Sequence, residues 1–90
     1  MKKIIKNNYK IGDIVECNAG RGSGKAFVIF WIDGIYVGIC DGDTRKIDNI
    51  KKKKIIHLTE TGRHSEFIAT AVTENKHIEN SDVRKQLEQL

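Results

Sequence analysis

The dipeptide Asp33-Gly34 stands between two apolar runs, residues 26–32 (AFVIFWI) and 35–40 (IYVGIC). No other feature of the chain limits its fold as much. Both runs are rich in β-branched and aromatic residues and too short for good helices, so they read as strands. A type I′ turn needs φ > 0 at both central residues, which Asp-Gly tolerates, so the two runs are expected to fold back as a hairpin. Alternation along the second run puts Ile35, Val37 and Ile39 on one face and Tyr36, Gly38 and Cys40 on the other. Gly38 opposite a bulky neighbour would let the sheet bend there.

Shorter strands flank this hairpin. Residues 14–17 follow Gly12-Asp13, and residues 18–25 (NAGRGSGK) form a loop, because three glycines in eight residues forbid a regular element. Asp41-Gly42-Asp43 is a second turn. Residues 45–47 read as a brief basic strand, and residues 51–54 lead into a last short strand at 55–58. Five short strands joined by tight turns predict a mainly β fold, a small barrel rather than a sandwich. Past residue 58 the period changes. Phe67, Ile68, Ala71 and Val72 recur at helical spacing behind Ser65, a plausible N-cap, and Asn80 or Ser81 caps a second helix over 82–89 with Val83, Leu87 and Leu90 on one face. Residues 1–58 are thus expected to be the barrel. Residues 59–90 are expected to be a helical C-terminal extension packed on it or on a partner, since so many apolar side chains are costly to leave wet.

Ninety residues suffice for one small domain, and most independent enzyme scaffolds need more. The longest apolar stretch has seven residues, against the roughly 20 that span a bilayer. No secretory signal is visible, since Asn7, Asn8, Tyr9 and Lys10 stand where an apolar core should follow the first lysines, so a cytoplasmic location is expected. Residues 1–58 hold twelve basic and six acidic side chains, net +6, whereas residues 59–90 hold four and six, net −2. A basic body with a slightly acidic tail points to an anionic partner, although spare lysines also serve solubility. Cys17 and Cys40 form no CxxC and lie in apolar runs, so they read as reduced core residues.

The loop at 19–26 (AGRGSGKA) resembles a phosphate-binding loop only superficially. Ala19 stands where the leading glycine belongs and Ala26 where the magnesium-binding hydroxyl belongs, and a strand follows instead of a helix. Between two strands, the same glycines let the backbone approach a nucleic acid closely, with Arg21 and Lys25 supplying charge; the alternative is a simple turn. Arg45, Lys46 and the run Lys51, Lys52, Lys53 and Lys54 add a second basic segment. If that run is extended, alternate lysines point opposite ways, so one pair faces a partner while the other stays solvated. Lysine suits phosphate, and the planar fork of Arg45 also suits a base. Asp41 and Asp43 with His57 invite a metal or acid–base reading, but carboxylates flanking a turn glycine more often accept backbone hydrogen bonds. His64 and His77 lie outside any ligand spacing. Phe27 and Phe30 read as core, with Trp31 and Tyr36 left open as either core or stacking platform.

Taken together, Gly12-Asp13-Ile14-Val15, Ala19-Gly20-Arg21, Gly24-Lys25 and Phe27-Val28-Ile29 resemble a KOW motif, the strand–glycine loop–strand signature of several ribosomal proteins and transcription elongation factors. The segment Asp41-Gly42-Asp43-Thr44-Arg45-Lys46-Ile47, the lysine run and His57-Leu58 narrow the likeness to bacterial KOW-domain RNA-binding proteins, similar to eukaryotic- and archaeal-type large-subunit ribosomal proteins. It covers residues 10–58 closely and the tail only loosely. Where the family commonly has a proline before its lysine run, this chain has Ile50. The resemblance implies a five-stranded SH3-like β-barrel of KOW type that binds structured, ribosomal RNA. It implies no catalysis; ribosomal proteins are expected as further partners, and no cofactor or metal is expected. Carried over by position, Arg21, Lys25, Arg45, Lys46, Lys51, Lys52, Lys53 and Lys54 form the RNA-facing set. The competing reading is an SH3-like protein–protein interaction module in a transcription or translation complex, since small barrels also bind peptides in aromatic-lined grooves.

Overall fold

A computed structural model describes residues 8–18 and 24–89 of the chain. Five strands, β1 (Asp13–Cys17), β2 (Ala26–Asp33), β3 (Tyr36–Cys40), β4 (Lys51–Lys54) and β5 (Leu58–His64), form one sheet in the order β4-β3-β2-β1-β5. Every neighbouring pair is antiparallel. Two helices follow, α1 (Glu66–Thr73) and α2 (Asn80–Gln89). Among the described residues, no helix is long and apolar enough to cross a membrane.

The outermost strands β4 and β5 are consecutive in the chain, joined by a single 3-10 turn, Ile55–His57. Four Cα steps from Lys54 to Leu58 reach at most about 14 Å. The outer strands of a flat five-stranded sheet would lie about 19 Å apart. The sheet is therefore curled. Its concave side holds Val15, Cys17, Phe27, Ile29, Val37 and Ile39, together with Ile55 of the joining turn and Leu58. Ile14, Val28, Phe30 and Cys40 line the convex side, where Ile68, Ala71, Ile78 and Val83 of the helical segment cover them. Burial on both sides explains why residues 26–32 read as an unbroken apolar run rather than an alternating one.

A bulge in β2 shifts the β2–β3 register between Ile29 and Trp31. It lets the consecutive residues Phe30 and Trp31 both pack on the convex side, while Ile32 returns to the concave one. Trp31 pairs with Gly38, and a Cβ at position 38 would overlap the indole ring. The bulky neighbour expected opposite this glycine is therefore Trp31.

Several details depart from the sequence reading. Asp33 pairs with Tyr36, so the two-residue hairpin loop is Gly34-Ile35, not Asp33-Gly34. Only Gly34 has positive φ there (62°), which is the II′ pattern and leaves Ile35 outside the strand, 48% exposed. Residues 45–47 are not a strand, because the Asp41 carboxylate draws the Asp43 and Arg45 amides into a turn. Residues 55–57 form the 3-10 turn, and the sheet runs on past residue 58 to His64. The sequence of β5 (LTETGRH) lacks apolar alternation; pairing with β1 holds it in the sheet, across a bulge at Thr61-Gly62. Phe67 stays 49% exposed on α1, while Ile68 and Ala71 are buried.

Ser65 caps α1, its hydroxyl accepting from the Ile68 amide at 3.1 Å and donating to Gln86 of α2 at 2.6 Å. Helix α2 begins at Asn80, one or two residues earlier than the capping pattern predicts, with the Asp82 carboxylate accepting from the Glu79 amide.

Candidate nucleic-acid interface

The glycine loop between β1 and β2 is closed at its base by two backbone hydrogen bonds. Gly24 N donates to Cys17 O at 2.9 Å, and Cys17 N donates to Lys25 O at 3.3 Å. Gly24 takes φ +86°, a value L side chains avoid. This closure delivers Lys25 to the start of β2. Arg21 lies outside the described residues.

The connection from β3 to β4 is organised by Asp41. Its Oδ1 accepts from the Asp43 and Arg45 amides at 2.9 and 2.8 Å, and its Oδ2 accepts from the Thr44 hydroxyl at 2.6 Å. The Asp41 and Gly42 amides in turn donate to Arg45 O. Burial would raise the Asp41 carboxyl, but the Thr44 hydroxyl, the two amides and the charge of Lys25 outweigh it and hold it below the usual carboxylate range. Helix α2 clamps the same connection from outside. Arg84 Nη1 donates to Gly42 O at 2.7 Å, and a Cβ on Gly42 would run into the Asn80 carbonyl. Thr44 and Arg45 thus sit on a braced loop.

Strand β4 divides the four lysines. Lys51 pairs with Ile39 and Lys53 with Val37, so these two side chains share the concave side. Lys52 and Lys54 oppose Gly38 and Tyr36 and share the convex side, where the Lys52 ammonium lies 4.3 Å from the centre of the Tyr36 ring.

The result is a cavity of about 500 Å³ lined by Lys25, Arg45, Lys51 and Lys53, with Thr44, over a floor of Cys17, Phe27 and Ile39. No carboxylate is among its described lining residues. Four of the cations singled out from sequence converge here from three separate segments. Lys46, Lys52 and Lys54 do not line this cavity. The thiol of Cys17 is pushed up by burial, with Lys53 and Lys51 pulling the other way. Cys40 belongs to the convex side, so the two thiols are separated by the sheet. In the sequence Thr44 stands only within the segment that carries the resemblance, and the floor residues read as strand and core; nothing there shows that they meet the cations.

A larger cavity of about 820 Å³ lies beside β5 and α1, lined by Tyr9, Asp13, Glu60, His64 and Glu66 among others, and by none of the predicted site residues. His64 Nδ1 is 2.6 Å from Asp13 Oδ1, a pairing invisible from sequence because the polar residues of β5 carry no strand signal. Lys10 and Arg63 share this cavity with Asp13, Glu60 and Glu66, so its lining mixes charges of both signs, unlike the cationic cavity. Among the described residues, no group of three His, Cys, Asp or Glu side chains could hold a metal ion. Asp41 is engaged by its own turn, and His57 is exposed in the 3-10 turn.

No protein-family model matches the chain, and no curated protein matches it either.

Proposed function

We propose that this chain is a KOW-type RNA-binding protein, an SH3-like barrel that docks its cationic cavity on structured, ribosomal RNA in the cytoplasm. The observation that carries the reading is the convergence of Lys25, Arg45, Lys51 and Lys53 on one cavity without a carboxylate among its described lining. Chain order supports the fold assignment, because a curled sheet whose two outer strands are linked by one 3-10 turn is the connectivity such a barrel needs. The net charge of +6 over residues 1–58 supports a polyanionic partner.

Binding to a ribosomal RNA fragment, followed by fluorescence anisotropy over a range of salt, tests it. Each phosphate contact contributes about 0.7–0.9 to the slope of log affinity against log salt. Replacing Lys51 and Lys53 by alanine flattens that slope by up to two contacts; replacing Lys52 and Lys54 changes it less. Affinity that ignores salt, or recovery of one protein partner and no RNA from cells after cross-linking, would overturn the reading in favour of a protein-interaction module.

A further inference from the structure

The cationic groups surround a concavity, and this shape says more than their charge. A protein that only tracks a phosphate backbone needs an extended basic surface. Here the volume, about 500 Å³, falls within the roughly 300–1,000 Å³ of sites that enclose a small ligand. An A-form helix cannot enter such a space. A single nucleotide can.

We infer that the cavity bounded by Lys25, Arg45, Lys51 and Lys53 receives one unpaired nucleotide of the bound RNA, its base against the apolar floor and its phosphates on the cationic rim. This rests on the RNA-binding reading above and deepens it. The lining divides as a nucleotide does. Phe27, Ile39 and Cys17 present an apolar base to the cavity, and the charged groups stand around it. The Thr44 hydroxyl donates its proton to Asp41, which leaves its oxygen free to accept from the N–H edge of a base. Arg45 brings a planar guanidinium that can stack on an unstacked base or hydrogen-bond it. The groups are also held in place beforehand. Lys51 and Lys53 stand on a paired strand, and the backbone of Arg45 is fixed by Asp41. Fixing them in the free protein lowers the entropy lost on binding.

Three RNA hairpins with one common stem test this: one fully paired, one with a single-nucleotide bulge, and one with the same bulge lacking its base. Anisotropy at fixed salt with the unaltered protein is expected to show the bulged hairpin bound about tenfold more tightly than either of the others. Cys17→Leu, which places bulk in the floor, is expected to bring the bulged hairpin down to the abasic one, with thermal unfolding confirming that the variant folds. Equal binding of the bulged and abasic hairpins overturns the inference while leaving RNA binding intact, and this comparison does not depend on the variant. If none of the three hairpins binds in a salt-dependent way, the RNA-binding reading fails as well.

Discussion

The side chain of Asn80 accepts a hydrogen bond from the backbone amide of Ile47 at 2.8 Å, across 33 residues of chain. This bond ties the first turn of α2 to the loop that carries Arg45 and Lys46. Asparagine at a helix start would ordinarily cap its own helix; here its oxygen serves the loop instead. Asn80→Ala leaves the Ile47 amide unpaired in a part-buried position, and the expected loss is about 1 kcal/mol of unfolding free energy. Asn80→Asp keeps the acceptor and is expected to lose less. Urea titration of the two variants decides it, and equal losses would show that the bond contributes nothing.

The indole of Trp31 lies where a side chain at Gly38 would begin. Gly38→Ala forces the ring or the strand to move, at a cost of about 1–3 kcal/mol. Trp31 is the only tryptophan, so its fluorescence reports the displacement directly. Trimming the ring as well, in Trp31→Leu with Gly38→Ala, is expected to cost less than the two single losses added together. Additive losses would mean that the two residues do not constrain one another.

The parts of the fold legible in the sequence are those where a local pattern and the tertiary structure agree. The unbroken apolar run at 26–32, the glycine at 34 and the helical stripe of Ile68 and Ala71 each have a short-range signal. Strand β5 has none. Its residues are mostly polar, and its pairing with β1 depends on contacts some 45 residues apart. The candidate site divides in the same way. The cations could be named from sequence, and strand alternation already implied that the lysine run would split. Which pair would meet Lys25 and Arg45 followed only from the β3–β4 register, which places Lys51 and Lys53 opposite Ile39 and Val37. A shift of one residue would have exchanged the pairs.

Asp41 makes stability depend on acid. Its folded-state carboxyl is held below its ordinary value of 3.8, so the unfolded chain takes up a proton at higher pH than the folded one does. The stabilisation is therefore fully present above that value and is lost as pH falls through the lower folded value. Asp41→Asn removes this carboxyl. Unfolding free energy followed from pH 6 downward is expected to fall less steeply below about pH 4 in the variant than in the parent. Parallel acid limbs would show that other carboxyls dominate.

Both thiols are expected to be inert in the folded protein. Burial pushes Cys40 up to about 12, with the Gly42 amide lowering it and the Asp41 charge raising it, and Cys17 is raised as well. A buried, protonated thiol is a poor nucleophile. A disulfide-exchange reagent at pH 8 should therefore titrate no thiol in the native protein and two in urea. Fast reaction of Cys17 alone would mean that its thiol ionises within the cationic cavity despite its burial.

Among the described residues, strand β4 is the outermost strand on its side, paired only with β3, and such an edge is a template for another chain. Lysines on an edge strand oppose that pairing, because docking a second strand would desolvate or crowd their charges. Lys52 and Lys54, which do not line the cavity, are the pair best explained this way. The double variant Lys52→Val, Lys54→Ile keeps strand propensity and removes both charges. It is expected to form larger species by size-exclusion chromatography and light scattering, while Lys51→Ala with Lys53→Ala does so less and loses salt-dependent RNA affinity more. The two pairs would then divide between protecting the edge and contacting the ligand. If both variants elute like the parent protein and weaken RNA binding equally, the lysine run acts as one undivided surface and the separation imposed by the strand has no functional consequence.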